Sequence, residues 1–213
     1  MKEKEIFDKL VNAEDDTMDI LTDMCPEITD AELDRLLAVT ERKYKMKKVL
    51  QFSGIISLVL VVVAFILMMA TNAAMQVSGS LQVNYAGTTA IFGHASEGVL
   101  DPEIKLAPLA LIAWILIIVG MIIVALGIIL PLIKVTALQK FAGLLNLIAV
   151  VCFVLGGVFM FIVVPSLWAA NEWGDIPDNA KIGAGWVIGG ILAIIGGAFA
   201  ILPAAMDFIA KKK

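Results

Sequence analysis

The sequence predicts an all-α membrane protein: a four-transmembrane-helix bundle with a small extracellular β-hairpin cap and a short helical cytoplasmic N-terminal head. Three observations lead to this fold class. Of the 213 residues, 60% are apolar, compared with about 45–50% in an ordinary globular domain. The excess lies in four long runs that contain no Asp, Glu, Lys, Arg or His. Between two of these runs, the segment MQVSGSLQVNY (75–85) alternates in the pattern of a β-strand.

The four apolar runs are predicted to be transmembrane helices. They cover residues 49–70, 106–133, 141–164 and 182–206, within a membrane domain of residues 49–206. Each run exceeds the roughly 18–20 residues that cross a hydrocarbon core of about 30 Å. A charge at the bilayer centre costs roughly 2.5–3.5 kcal/mol on insertion scales, which explains why spans exclude charges. Helices are expected because lipid offers backbone groups no other hydrogen-bond partner.

The distribution of Lys and Arg predicts a plasma-membrane protein with both termini in the cytoplasm. Fourteen of the sixteen basic residues lie before the first span, in the turn between the second and third, or after the fourth. The other two, Lys105 and Lys181, fall in the predicted outer loops, residues 71–105 and 165–181. Residues 207–213 are predicted to form a basic cytoplasmic tail. The residues predicted to anchor the bundle at the membrane surfaces are Arg42, Lys43, Lys45, Lys47, Lys48, Trp168, Trp173 and Trp186.

The first 48 residues are predicted to form the acidic helical head and a basic juxtamembrane segment. Residues 1–39 contain twelve acidic and four basic side chains. Apolar residues recur there at helical spacing, and Thr29 with Glu32 matches a capping box, so two or three short helices are expected. The head is either a solvated tail or a docking element for a cytoplasmic protein. Its acidity argues against a nucleic-acid partner, since phosphate binding needs clustered cations.

The outer cap is predicted from the alternating segment 75–85. Its odd-numbered residues, from Met75 to Tyr85, are expected on one face and its even-numbered residues on the other. Residues 78–80 are expected to bend the strand or form a bulge, and Gly87 to turn the chain into a second strand, TTAIF (88–92). The cap is either a lid over the helix ends or a recognition surface with a free strand edge.

Small residues are predicted to hold the spans together, because lipid gives helices little hydrophobic reason to associate. Four of them repeat every fourth position along the last span: Gly185, Gly189, Ala193 and Gly197. This stripe packs either against the other spans or against a second copy of the chain. The amide of Asn146, inside the third span, is expected to bond across helices, with Ser53 or Ser57 as partner.

No catalytic, metal-binding or cofactor site is predicted, because the loops and spans lack a nucleophile–base pair or a clustered ligand set. Coupled transporters usually carry ionisable residues or broken helices at the midplane, and the four runs contain no ionisable residue of this kind. The expected partners are the lipid bilayer and a cytoplasmic or membrane protein. The predicted function is that of a non-catalytic scaffold, accessory subunit or regulator that binds through its head or outer loop. The alternative is a small transporter or a component of an oligomeric channel.

Three sequence features occur in this order: TAIFG followed by an acidic stretch, LALIAWILIIVGMIIVALGIILPL as a span, and a last span rich in small residues. Together they resemble an uncharacterised four-span membrane protein family of Gram-positive bacteria, over most of residues 50–205. The head, from EIFDKLVNAEDD to ELDRLLAVTERKYKMKK, is similar to the juxtamembrane heads of membrane-anchored bacterial regulators, including anti-sigma-type proteins. The layout of four helices and a β-rich first loop also resembles claudins. The chain lacks their tryptophan motif and cysteine pair, so neither a junction nor a pore function is inferred from that likeness.

Overall fold

The computed structural model describes residues 30–78, 80–96, 103–129 and 142–211. The chain divides into two compact units, Met1–Phe52 and Ser53–Lys213. In the first unit, the described residues 30–52 are all helical. Several predictions therefore lie outside the described residues: the head up to residue 29, part of the first outer loop, and the turn that contains Lys134 and Lys140.

The described elements form four long helices, two short ones and three short strands. In chain order they are α1 (Asp30–Ala70), β1 (Asn72–Ser78), β2 (Leu81–Ala86), α2 (Gly87–Phe92), α3 (Pro108–Ile129), α4 (Ala142–Phe161), α5 (Val163–Asn171), β3 (Ala180–Ile182) and α6 (Ala184–Lys211). The prediction of a mostly helical chain is confirmed. The small β element is a three-stranded antiparallel sheet rather than a hairpin alone.

Within the described ranges, four helical segments are long and apolar enough to cross a membrane: Phe52–Ala70, Pro108–Ile129, Leu144–Phe161 and Ala184–Leu202. They coincide with the four predicted runs, so the prediction of a multi-pass membrane protein is supported by length and composition. About a third of each segment is buried inside the protein. The remaining surface is apolar and suits contact with lipid.

The third run ends earlier than predicted, because its helix breaks at Ile162. Pro165 has no N–H, so the carbonyl of Phe161 loses the donor that an uninterrupted helix would supply. Ile162 leaves helical geometry with φ −106° and ψ 19°, and α5 begins at the next residue. After the break, α5 lies beside β1 and β3 of the sheet.

The spans pack as a ring in which each helix touches the next along the chain and α6 closes against α1. Glycines allow the close approaches. A Cβ added at Gly54 of α1 would lie 3.3 Å from Ile128 of α3. One added at Gly120 of α3 would lie 2.4 Å from Phe153 of α4. Gly190 of α6 meets Gly157 of α4, and Gly189 of α6 approaches the Ala64 carbonyl of α1.

Two serine side chains fasten α1 to α6. The Ser57 hydroxyl donates to the carbonyl of Gly196 at 2.7 Å, and the Ser53 hydroxyl donates to that of Phe199 at 2.5 Å. These hydroxyls thus donate to the last span, and not to Asn146 as expected. Asn146 is buried and lies against Gly127 of α3, where an added Cβ would come 2.8 Å from its Oδ1. Its position places the amide between α3 and α4.

The sheet has the order β2–β1–β3, and both pairs are antiparallel. Ser78 pairs with Leu81, so the chain reverses between these two residues in a hairpin. The prediction of one continuous strand over 75–85 is therefore wrong, because the chain reverses where only a bend was expected. The register is irregular between Asn72 and Ala74, which marks a bulge in β1.

The segment predicted as the second strand is a helix instead. Residues 87–92 form α2, and Ala90 and Ile91 are fully buried against the bundle. β2 has already supplied the return strand of the hairpin, and the spacing of Gly87, Ala90 and Ile91 fits one face of a helical turn. Beyond α2, backbone hydrogen bonds of 2.7 and 2.8 Å join His94 and Ile104 and draw the two ends of the loop together.

Candidate functional site

The sheet is joined to the bundle at a crowded junction of four elements. The indole N–H of the fully buried Trp186 donates to the carbonyl of Met68, near the end of α1, at 3.0 Å. A Cβ at Gly87 would lie 1.9 Å from the same carbonyl, and one at Gly183 would lie 1.6 Å from the carbonyl of Asn72. Only glycine fits at these two positions. The ends of α1, β1, α2 and α6 are therefore held together by backbone contacts.

Three aromatic rings support the base of β2. Tyr85 lies with its ring centroid 5.6 Å from that of Trp168 and 5.2 Å from that of Trp173, and the two indoles are 5.1 Å apart. Two of these contacts are edge-to-face and the contact of Tyr85 with Trp173 is tilted. Aromatic pairs of this kind stabilise by about 0.5–1.5 kcal/mol beyond the burial of area. Burial raises the pKa of the Tyr85 hydroxyl above its ordinary value. The cluster fixes β2 to α5 and to the segment that follows α5.

Asn171, the last residue of α5, holds the segment before α3. Its Oδ1 accepts from the backbone N–H of Lys105 at 2.7 Å, and its Nδ2 donates to the Lys105 carbonyl at 3.1 Å. Nδ2 also donates to the Leu167 carbonyl at 2.8 Å. Lys105 forms an exposed ion pair with Glu172 at 3.2 Å. Exposed ion pairs contribute only about 0–1 kcal/mol. The side-chain amide of Asn171 therefore provides most of the interaction that fixes this segment.

The register assigns the sheet's side chains to two faces that differ from the predicted ones. Directly opposite residues share a face, and Gln76 is opposite Val83 while Met75 is opposite Asn84. The apolar face therefore carries Leu81, Val83 and Tyr85 of β2 beside even-numbered residues of β1. The amide face carries the side chains of Gln82 and Asn84, which are hydrogen-bonded to each other at 2.9 Å.

The hairpin is buried at its base and exposed at its tip. Ala74 is fully buried, whereas the side chains of Leu81 and Val83 are 73% and 49% exposed. Both exposed side chains lie on the apolar face, and Val77 on the opposite face is 43% exposed. Large apolar side chains thus stand at the end of an element whose base is firmly held. We call Leu81 and Val83, with the strand β2 that carries them, the hairpin surface.

The outer edge of β2 carries backbone groups that point away from the sheet. The carbonyls of Ala73 and Val77 accept from Gly183 and from the Asn179 side chain, on the β3 side of β1. Backbone groups alternate in direction along a strand, so the N–H and C=O groups of the even-numbered residues of β1 must point towards β2. Their partners are the odd-numbered residues of β2, so the N–H and C=O groups of Gln82 and Asn84 face outward. Within the described part of the chain, no further strand pairs with this edge.

The predicted packing stripe of α6 lies inside the chain. Gly189 approaches Met160 of α4 and the Ala64 carbonyl of α1, and Gly197 approaches Val154 of α4. Gly185 lies against Thr71, and Ala193 is fully buried. Gly190, beside the stripe, meets Gly157 of α4. These contacts occupy the stripe within one chain, while the predicted homo-oligomer stays a prediction.

The predicted anchoring residues occupy different surroundings from one another. Trp186 and Trp168 are buried in protein, where Trp186 donates to α1 and Trp168 lies in the aromatic cluster. Trp173 is 38% exposed, so it is the indole among the three that solvent or headgroups can reach. The five basic residues from Arg42 to Lys48 lie on α1, and their side chains are outside the described residues.

Sequence reasoning missed two polar side chains that organise this end of the bundle. Besides Asn171, these include Ser166, whose hydroxyl accepts from the N–H of Leu109 in the first turn of α3 at 3.1 Å. Such groups cap helix ends, but here donor and acceptor are far apart in the chain. A local pattern could not have revealed them. Among the described residues, no group of three or more His, Cys, Asp and Glu is placed to hold a metal ion.

Comparison of the chain with protein-family models and with curated proteins gave no match. The resemblance to a Gram-positive four-span family is thus supported only in its layout of four apolar helices. The likeness of the head to membrane-anchored regulators stays a prediction.

Proposed function

We propose that this chain is a non-catalytic, multi-pass membrane protein that binds a partner protein through its hairpin surface, as a scaffold, an accessory subunit or a regulator. The observation that carries the proposal is the exposure of Leu81 and Val83 at the end of a rigidly held hairpin. Exposed apolar side chains that cluster on a rigid element are typical of interaction sites.

The contacts at the base of the hairpin support a binding role better than a lid. A lid over the helix ends would bury the apolar face of the sheet along its whole length. Tyr85 and Ala74 do face the protein, but the apolar face becomes exposed from Val83 towards the turn. The base therefore serves as a support, and the tip is left for a partner.

In this proposal the sheet faces the outside of the plasma membrane and both termini are cytoplasmic. The support is the distribution of Lys and Arg, which concentrates fourteen of sixteen basic residues at the other end of the spans. The test is labelling of intact cells with an impermeant thiol reagent, using a chain without its native cysteines. A cysteine at Ser80 is expected to react, and a cysteine added after Lys213 is not. The reverse result would refute this orientation.

The binding role is tested by photo-cross-linking in cells. A photoreactive residue at Leu81 or Val83 is expected to give the same discrete adduct with one protein. Ile115, which is exposed on α3 in a membrane span, is the matched control and is expected to give lipid adducts only. Absence of a recurrent protein adduct at both hairpin positions would contradict the proposal.

The cytoplasmic head is proposed as a second docking element, supported by its acidic and apolar sequence pattern. Deleting residues 1–39 is expected to remove a copurifying cytoplasmic partner while the spans still insert. The transporter or channel alternative predicts instead that the purified bundle moves a solute into liposomes. In the described spans the buried polar side chains are serines and one asparagine, and none is Asp, Glu, Lys, Arg or His.

A further inference from the structure

We propose that the short helix α2 is embedded in the bilayer, with the side chain of Phe92 among the lipid acyl chains of the leaflet at the sheet end of the spans. The sequence predicts residues 71–105 to be a loop outside the membrane, so the proposal gives part of that loop a different environment. It depends neither on the proposed binding role nor on which side of the membrane the sheet faces. Three observations carry it: the position of α2, the exposure of Phe92, and the contact of this ring with Trp114.

Backbone hydrogen bonds fix α2 at the level where two spans end. The N–H of Ala107, the residue before α3, donates to the carbonyl of Ala90 in α2 at 2.8 Å. The N–H of Gly87, the first residue of α2, donates at 2.8 Å to the carbonyl of Thr71, which follows α1. The spans of α1 and α3 end and begin next to these two partners. The helix α2 therefore lies at the depth at which the chain enters and leaves the membrane.

The exposed end of α2 is apolar. Ala90 and Ile91 are fully buried against the bundle, whereas the side chain of Phe92 is 51% exposed. The helix has the sequence GTTAIF, which contains no charged residue. Contact between a large aromatic ring and water is unfavourable, whereas contact with hydrocarbon is not. At this depth, an apolar environment is therefore the favourable one for Phe92.

Phe92 continues the lipid-facing surface of α3. Its ring packs edge-to-face on Trp114 of α3, with the ring centroids 5.2 Å apart. Trp114 belongs to the span Pro108–Ile129, in which the neighbouring Ile112 and Ile115 are exposed. The indole nitrogen of Trp114 is buried, so the accessible atoms of this ring are carbons. The ring of Phe92 thus extends a surface that suits acyl chains, and this continuity identifies lipid as its partner.

The length of α3 indicates how deep the two rings lie. Its 22 residues span about 33 Å, close to the roughly 30 Å of a hydrocarbon core. Pro108 therefore lies near the membrane boundary, and the Cα of Trp114 lies about 9 Å below it. Side chains on a helix lean towards its N-terminus, so the indole lies less deep than its Cα. Helices in the membrane interface bury their apolar faces by about 5–10 Å, which matches this depth.

The experiment measures lipid exposure at position 92 by spin-label EPR, on the full chain in phosphatidylcholine liposomes. The label is attached to Phe92→Cys in a chain that also carries Cys25→Ala and Cys152→Ala. Its collision rates are measured with oxygen, which partitions into lipid, and with a water-soluble nickel chelate. Ile115→Cys is the lipid reference, and Ser80→Cys, exposed at the end of the hairpin, is the water reference. The label at position 92 is expected to collide often with oxygen and seldom with nickel, as at Ile115, and the label at Ser80 is expected to show the reverse.

A second measurement keeps an aromatic ring at this position. A benzoyl-phenylalanine in place of Phe92, in the otherwise unaltered chain, is photoactivated in cells, where partner proteins are present. It is expected to give lipid adducts only, as at Ile115. This result decides the question even if Phe92→Cys disturbs α2.

Three results would overturn the inference. Nickel collisions as frequent at position 92 as at Ser80 would place α2 in water. A label shielded from both reagents, or dipolar broadening between labels, would show that protein or a second copy of the chain covers this site. A recurrent protein adduct from position 92 in cells would show that a partner protein covers it. The proposed binding role is tested separately at Leu81 and Val83, so either conclusion can fail without the other.

Discussion

The hydrogen bond from Ser53 to Phe199 leads to the sharpest prediction about stability. In an α-helix, the carbonyl of residue 199 accepts from the N–H of residue 203. Residue 203 is proline, which has no N–H. The Ser53 hydroxyl of α1 takes the place of this donor at 2.5 Å. One side chain thus both joins α1 to α6 and satisfies the carbonyl that the proline leaves open.

Ser53→Ala is therefore expected to destabilise the bundle by more than a usual interhelical hydrogen bond. Such bonds average about 0.6 kcal/mol in membrane proteins, with a maximum of about 1.7. Leaving a buried acceptor without any donor costs about 1–3 kcal/mol. Ser57→Ala is the matched control, because the Gly196 carbonyl keeps its helical donor when the hydroxyl is lost. We expect a loss of about 1–2 kcal/mol for Ser53→Ala and about 0.6 kcal/mol for Ser57→Ala.

The assay is the free energy of unfolding in bicelles, measured by steric trapping, in a double-mutant cycle with Pro203→Ala. Alanine at 203 restores the backbone N–H, so Ser53→Ala is expected to cost less in that background. The difference between the two backgrounds measures the coupling between the proline and the serine. Equal losses for Ser53→Ala and Ser57→Ala, or no change in the loss when Pro203 is replaced, would refute this reasoning.

Four other predictions follow from the sheet end of the bundle. Trp186→Phe is expected to lower the free energy of unfolding by about 1–3 kcal/mol, because a buried carbonyl of α1 loses its donor. Gly183→Ala is expected to abolish folding, measured as monodisperse yield in detergent, since its Cβ would overlap a backbone carbonyl; Gly54→Ala, which meets only a side chain at 3.3 Å, is the tolerated control. Asn171→Ala is expected to speed amide exchange in residues 103–107, and unchanged exchange would show that the ion pair suffices. Burial raises the pKa of the Tyr85 hydroxyl above its unfolded value, so the folded state binds this proton more tightly. The free energy of unfolding is therefore expected to decrease as pH rises above about 10. Tyr85→Phe is expected to make this decrease smaller.

The spans could be predicted from the sequence because the bilayer imposes one requirement on every residue of a run. The predicted runs 49–70 and 182–206 contain the segments Phe52–Ala70 and Ala184–Leu202. The third run was predicted too long, because its apolar character continues to Val164 whereas the helix breaks at Ile162 and a second helix begins at Val163. The apolar composition therefore locates the span, but the missing backbone N–H of Pro165 decides where its helix breaks.

The sheet could be predicted only in part. The period-two pattern correctly indicated β structure over residues 75–85. It did not reveal the turn, because an apolar and polar alternation continues unchanged through residues 79 and 80 while the chain reverses. That reversal exchanges the faces of all residues after it. The third strand, Ala180–Ile182, is too short for any pattern, and it forms because β1 offers it a pairing edge.

Buried tryptophans show a further limit of sequence reasoning. Trp168 and Trp186 lie near the ends of apolar runs, which is the usual position of an interfacial indole. Their surroundings are set by residues far away in the chain: Tyr85 for one and the Met68 carbonyl for the other. A tertiary partner therefore decides whether an indole at a span end points into protein or towards headgroups.

The very short connections at the sheet have a mechanical consequence. Only Thr71 separates α1 from β1, and only Gly183 separates β3 from α6. Because β1 and β3 are paired to each other, the first and last spans are linked at this end through the sheet. A force applied to the hairpin would load both helices at once. The two can part only from the opposite end, where the Ser53 and Ser57 hydrogen bonds would be the first to open.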